Sequence, residues 1–159
     1  MNLEINKTYK HPHFQIYMQP GYDFTGICVV FFCHDGEGNV LLAKRSKNCR
    51  DEHGHWDYGA GGIEHGETVL DTLKKEIKEE YGCDVLEHEF LGIRDVHREH
   101  EGKKTHWIAL DHRVKVNKAQ AKNMEPHKFD DLQWFTLNNL PTPLHSQFPN
   151  FLELYKDKL

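Results

Sequence analysis

The chain has 159 residues and a formal net charge of −5. That length suits one domain with a sizeable core, and an acidic balance without a basic, aromatic-interleaved stripe argues against nucleic-acid or membrane-surface binding. No apolar run is long enough to span a bilayer, and the opening residues, MNLEINKTYKHPHF, lack the apolar stretch of a secretory signal.

In chain order, Phe14, Ile16 and Met18 alternate with polar or smaller residues, which predicts a short strand broken at Pro20-Gly21. Residues 27–33 (ICVVFFC) form a continuous apolar run, the pattern of a strand covered on both faces. Asp35-Gly36-Glu37-Gly38-Asn39 is a turn and Val40-Leu41-Leu42-Ala43 a second strand, so residues 27–44 read as a hairpin. Lys44 and Arg45 at its end offer charge that a phosphate could meet, with solvated strand-end cations the preferred reading. Residues 46–60 (SKNCRDEHGHWDYGA) show no periodicity and read as a loop.

A helix follows. Thr68 with Asp71 three residues on is a capping-box variant, and Gly82 is a left-handed stop. On a wheel of about 100° per residue, Val69, Leu70, Leu73, Ile77 and Tyr81 fall in one apolar arc. Glu76, Glu79 and Glu80, at i, i+3 and i+4, share a face at the near edge of that arc. Asp71, Lys74, Lys75 and Lys78 point outward. Three crowded carboxylates repel one another, and a divalent cation turns that repulsion into binding. The alternative is a solvated acidic face.

Beyond the helix, residues 85–95 read as a strand, residues 97–104 (HREHEGKK) as an exposed hairpin loop, and residues 105–116 as another strand. Residues 117–124 read as a mobile polar loop. Phe148, Phe151, Leu152, Tyr155 and Leu159 mark an amphipathic helix that tolerates Pro149 near its start. Strands interrupted by one central and one terminal helix predict an α/β fold, an α/β/α sandwich with a mixed sheet.

Four cysteines, Cys28, Cys33, Cys49 and Cys83, form no C-x-x-C pair, which fits a reduced, cytoplasmic protein. Thirteen histidines raise the question of zinc. His53 and His55, His97 and His100, and His11 and His13 lie close in sequence, but none is matched by a second pair at zinc-site spacing on one predicted element. Most histidines are therefore read as surface or pocket residues, ahead of a structural zinc.

The box reads Gly61, five residues, Glu67, seven residues, Lys75-Glu76-Ile77, one residue, Glu79-Glu80, one residue, Gly82-Cys83. This resembles the signature of the Nudix hydrolases, G-x5-E-x7-R-E-U-x-E-E-x-G-U, with U a bulky aliphatic. Lys75 stands where the family has Arg, and Cys83 where it has an aliphatic. In the family that Arg pairs with the first glutamate, so the resemblance implies a Glu67–Lys75 brace, weaker for want of the bidentate fork. Trp56 also has a family counterpart, with its ring expected under the loop. Tyr58-Gly59-Ala60-Gly61 departs from the Leu-Pro-Gly-Gly of many members, at a place where branches with non-nucleotide diphosphate substrates vary. A second resemblance covers Asn123-Met124-Glu125-Pro126-His127-Lys128, Leu132-Gln133-Trp134-Phe135 and Leu140-Pro141. These are similar to the C-terminal segment of a MutT-homologue branch that removes damaged or unwanted nucleoside triphosphates, where the matching glutamate lies on a loop over the metal site.

Carried over residue by residue, the resemblance implies a single Nudix domain over residues 1–159 and the same sandwich fold. It implies Mg²⁺, or Mn²⁺, held by the Gly61 carbonyl, Glu76, Glu79 and Glu80. Glu76 is the expected base with Glu125 as its rival, and Glu67 orients the helix glutamates through Lys75. The expected reaction is hydrolysis of a nucleoside diphosphate linked to a group X, in its favoured form nucleoside-triphosphate pyrophosphohydrolysis. The alternatives are another diphosphate (a nucleotide sugar, a dinucleotide, or an isoprenyl diphosphate isomerised and not hydrolysed, an option that Cys49, the loop cysteine near the box, keeps open) and a non-catalytic nucleotide sensor. The expected partner is a small-molecule diphosphate; oligomeric state is open, a homodimer included.

Overall fold

Along β3 (Gly26–His34), Cys28, Val30 and Phe32 enter one apolar cluster, and Val29, Phe31 and Cys33 enter another. Successive strand residues face opposite ways, so β3 lies between two layers, as its unbroken apolar run predicts. This is seen in a computed structural model that describes residues 8–11 and 14–159. One layer is α1 (Val69–Tyr81), which buries Leu73, Ile77 and Tyr81 against Phe31, Leu41 and Val114. The other is α2 (Phe148–Tyr155), which buries Phe148, Phe151 and Tyr155 against Phe32, Leu42 and Tyr58. Phe151 stacks on Phe32 with ring centroids 5.3 Å apart, the kind of aromatic contact that adds to plain area burial. The α/β/α sandwich with a mixed sheet is therefore observed.

Seven strands make the sheet. β3 pairs in parallel with β8 (Lys103–Val116), which pairs antiparallel with β7 (Val85–His100). β4 (Asn39–Arg45) pairs antiparallel with β9 (Phe129–Thr136). Separately, β1 (Thr8–His11) and β2 (Phe14–Tyr17) form a two-stranded antiparallel ribbon. The expected strand at Phe14 and Ile16 is thus present. Among the described residues no helix is long and apolar enough to cross a membrane.

Several expectations need correction. The hairpin over residues 27–44 exists only at its tip, where His34 pairs with Val40. Beyond it the strands part, because the supposed loop supplies β5 (Trp56–Asp57), paired with β4, and β6 (Gly59–Gly62), paired with β3. A two-residue strand and a Gly-Ala-Gly-Gly strand carry no apolar alternation to read. Their smallness is required by packing: a Cβ at Gly59 would stand 1.7 Å from a Phe31 ring carbon.

The polar stretch 97–104 is not a loop. β7 and β8 run on to a two-residue turn at Glu101 and Gly102, both with positive φ (51° and 74°) as a tight hairpin requires. Its side chains are polar because the hairpin extends where its face is exposed.

Residues 117–124 include a 3-10 turn at Lys118–Gln120 and are tied down. Lys122 N–H donates to the Tyr81 carbonyl (3.0 Å) and Met124 N–H to that of Glu80 (3.1 Å), satisfying carbonyls that a helix end leaves without partners.

Arg45 is buried, with Nη2 3.0 Å from Asp51 Oδ1. His112 is buried as well, outside the surface-or-pocket reading.

Candidate active site

Local signals set the position and rotation of α1. Thr68 Oγ1 accepts from Asp71 N–H at 3.1 Å, and Gly82 stops the helix at φ 69°. With Leu73, Ile77 and Tyr81 pinned in the core, the next positions round the helix must lie at its margin. Glu76 is half-buried, Glu79 is exposed, and Glu80 is 2% exposed.

Gly61 lies on β6 opposite Val29 and directly beneath Glu76. A Cβ there would come within 2.2 Å of Glu76 Cδ, so only glycine lets strand and carboxylate approach this closely. Burial, then the neighbouring charge of Glu80, pushes the Glu76 carboxyl up to about 7. Burial also raises Glu80, against the pull of Lys128. Lys128 Nζ donates to Glu80 Oε1 at 2.5 Å and to Glu125 Oε2 at 3.1 Å. Burial opposes the charge on Lys128, yet those two carboxylates raise its pKa above the ordinary range. Glu80 Oε2 is buried with no hydrogen-bond partner among the described residues.

At the head of the helix, Lys75 Nζ lies 2.6 Å from Glu67 Oε1, while Glu67 Oε2 accepts from the Thr72 hydroxyl (3.0 Å) and Glu64 N–H (3.2 Å). The hydrogen bond from Lys75 holds Glu67 below the usual carboxylate range. Lys75 is therefore turned in toward Glu67 and not outward as the wheel placed it; it also stands 3.9 Å from Glu76 Oε1.

The structure thus brings Gly61 to Glu76, Glu67 to Lys75, and Glu80 to Glu125 through Lys128. It does not draw Glu76, Glu79 and Glu80 into one knot. Among the described residues, the groups of three whose ligand atoms lie within 4.8 Å of one another are Asp95–His97–His106 and Asp51–Glu52–His145. Like charges on the helix keep apart, and Lys128 draws Glu80 toward Glu125. The donor set still fits a hard divalent ion: it consists of carboxylates beside a glycine carbonyl. The second Glu80 oxygen has no protein partner among the described residues to satisfy it.

Sequence reading gave no role to Lys128, or to a second set of residues across β6. A cavity of about 110 Å³ is lined by residues that include Arg45, Asp57, Tyr58, Arg94, Arg98 and His145. Two lining residues carry buried polar atoms without hydrogen-bond partners among the described residues, Asp57 Oδ1 and Arg94 Nη1. One is an acceptor while ionised and the other a permanent donor. Burial pushes the Asp57 carboxyl up to about 7, against the pull of Arg45. Burial and the Arg98 charge hold His145 down at about 3, so it is neutral. A smaller cavity of about 40 Å³ joins Asp57 and Tyr58 to Glu80 and Lys128. The pocket and the helix carboxylates therefore flank one strand, β6. The local signal for Asp57 is its place between Trp56 and the glycine strand; Lys128 is signalled only by lying three residues after Glu125.

A family model described as the NUDIX domain matches residues 24–155. The human protein described as 8-oxo-dGDP phosphatase NUDT18 is 25% identical over 122 residues, which is 76% of this chain and 35% of that protein. An RNA pyrophosphohydrolase of Acinetobacter baylyi is 31% identical over 113 residues, covering 61% of this chain and 64% of that protein. The chain thus spans only part of the curated relatives it matches. A MutT NUDIX hydrolase structure from Burkholderia pseudomallei superposes with a TM-score of 0.71 at 26% identity, covering 82% of this chain and 97% of that one. The NUDIX domain of Shewanella oneidensis NrtR, in complex with ADP-ribose, superposes with a TM-score of 0.62 at 17% identity, over 84% of this chain and 88% of that one, a likeness of fold.

Proposed function

The chain belongs to the NUDIX family, whose model covers residues 24–155, and on that premise we propose that it is a metal-dependent hydrolase of a phosphoanhydride bond in a nucleoside diphosphate linked to X. The observation that carries this reading is the buried Glu80 oxygen without a partner among the described residues, on the helix whose Glu76 lies over Gly61 and joined to Glu125 through Lys128. Lys128 meets only Oε1 of that carboxylate, and a buried oxygen left without a partner is costly until a donor or a metal ion meets it.

The residues that would hold Mg²⁺ or Mn²⁺ are Glu76, Glu79, Glu80 and the Gly61 carbonyl. When bound there, the ion supplies charge neutralisation for the phosphates and an acidified water. Glu76, beside the Gly61 strand, is the side chain we assign as the base that takes the proton of that water. Glu125 is the rival base, held beside Glu80 by the shared Lys128. Glu67 and Lys75 orient the helix glutamates and touch no reacting atom. The cavity across β6 would take the group attached to the phosphates. Its lone acceptor on Asp57 and lone donor on Arg94 suit the mixed edge of a nucleobase, which supports a nucleoside di- or triphosphate substrate. Cys49 is buried and its thiol donates to the Lys128 carbonyl, which weighs against a cysteine-assisted isomerase.

A second reading, a nucleotide-binding sensor, is favoured by the same Lys128: its ammonium already neutralises Glu80 without an ion. Incubation with Mg²⁺ and a panel of nucleoside triphosphates, nucleoside diphosphates, nucleotide sugars and dinucleotides separates the two. Release of phosphate or pyrophosphate that is abolished in Glu80→Gln supports the hydrolase. Saturable nucleotide binding without release supports the sensor, and near-normal turnover by Glu80→Gln refutes the site.

A further inference from the structure

The β7–β8 hairpin carries a cluster that the helix site does not use. His97 and His106 are direct cross-strand partners, and Asp95 lies two residues before His97, on the same face. The two imidazoles stack with centroids 4.2 Å apart. Asp95 Oδ1 lies 3.0 Å from His106 Nε2, and one ligand atom from each of the three residues lies within 4.8 Å of the others. Across the gap to the segment before β3, Thr25 Oγ1 lies 3.1 Å from His106 Nδ1.

We propose that Asp95, His97 and His106 bind one divalent transition-metal ion of the zinc class. Cross-strand partners are held at short range by the hydrogen-bonded ladder, so the two imidazoles are already neighbours before any ion arrives. Two imidazoles and one carboxylate suit Zn²⁺, Ni²⁺ or Cu²⁺ over Mg²⁺, whose preference is for oxygen. The set therefore differs in kind from the all-oxygen donors of α1. Three protein ligands with a fourth position open to water is a common tetrahedral arrangement for zinc. Thr25 supplies the outer partner such a histidine needs: once the ion takes Nε2 in place of the proton shared with Asp95, the proton sits on Nδ1 and Thr25 Oγ1, 3.1 Å away, can accept it. Asp95 and His97 are exposed, so the ion has an open approach. Once bound, it would clip the far end of the hairpin, where β7 and β8 have lost helix cover, to the chain entering β3.

The test uses the full chain, Zn²⁺ measured by equilibrium dialysis, and Co²⁺ as a visible-absorption probe, all in excess Mg²⁺. One equivalent of Zn²⁺ that Mg²⁺ does not displace is expected. His97→Ala and His106→Ala should each weaken it by roughly a hundredfold, and Thr25→Val by roughly tenfold, the scale on which ligands and their outer partners act. Circular dichroism confirms the fold, and Asp95→Asn, an exposed change, provides a further variant. Glu80→Gln should keep the equivalent. Unchanged Zn²⁺ affinity in both histidine variants, or its loss in Glu80→Gln, overturns the proposal, because the metal is then held by other histidines or by the helix.

Discussion

The Lys128 ammonium donates to Oε1 of Glu80 at 2.5 Å, while the other oxygen of that buried carboxylate has no donor among the described residues. A lysine with two carboxylates around it occupies the region expected to attract a cation. Replacing Lys128 by Met would strand Glu80 in the core. Removing one partner of a buried pair costs about 3–5 kcal/mol. Urea unfolding in EDTA should show a loss of that size, and added Mg²⁺ should recover part of it, since an ion bound only by the folded chain stabilises it by mass action. A loss that Mg²⁺ leaves untouched would separate Lys128 from the metal site.

Lys75 and Glu67 meet at 2.6 Å on the flank of Glu76. Lys75→Gln should lower kcat about tenfold with KM nearly unchanged, as loss of an outer-sphere partner does. Lys75→Arg should match or exceed the parent, because the guanidinium engages both oxygens of Glu67. Steady-state kinetics with the best substrate of the panel checks both. An Arg variant as impaired as the Gln variant would show that the ammonium itself is needed.

Why α1 was legible and its surroundings were not follows from the range of the contacts. Thr68, Leu73, Ile77 and Gly82 mark the helix from within one short stretch, and all took the predicted roles. Lys128 meets Glu80 across 48 residues of sequence, a contact no local pattern encodes. Gly59 and Gly61 hid β6 because a strand of glycines has no face. His97 and His106 were legible as histidines but not as a pair: their meeting depends on the register of a hairpin whose polar tip looked like a loop. Arg45 read as a solvated strand end because its partners, Asp51 and Asp57, lie on the segment that folds back between β3 and β4.

Asp57 gives the chain a pH signature. Its folded pKa is raised to about 7 by burial, above the unfolded value of about 3.9. The folded state therefore binds more protons between those values, and stability from this group is full below about 4 and lost as pH rises toward 7. Asp57→Asn removes the term. The variant should gain about 2.7 kcal/mol relative to the parent between pH 5 and pH 8, at about 1.4 kcal/mol per pKa unit. Paired urea melts at the two pH values measure it. A difference that does not change with pH would mean that Asp57 stays ionised throughout.

Arg94 grips Asp111 through Nε at 2.5 Å and Nη2 at 2.9 Å, and the Tyr155 hydroxyl donates to the same carboxylate at 2.8 Å. Asp111 is 0% exposed, so these donors stand in for water, and they tie α2 to the sheet behind the pocket. Tyr155→Phe should cost about 1.5–3 kcal/mol, the range for a hydrogen bond to a charged group, with KM unchanged because the hydroxyl is spent on Asp111. Arg94→Lys should lose stability and raise KM together. Lysine cannot reproduce the two-point grip, and it removes the Nη1 donor that is without a partner among the protein groups. Urea melts and steady-state kinetics on the two variants check the contrast. If Arg94→Lys lost stability but kept its KM, Arg94 would be a prop for Asp111 alone, and the pocket's recognition would have to rest on Asp57.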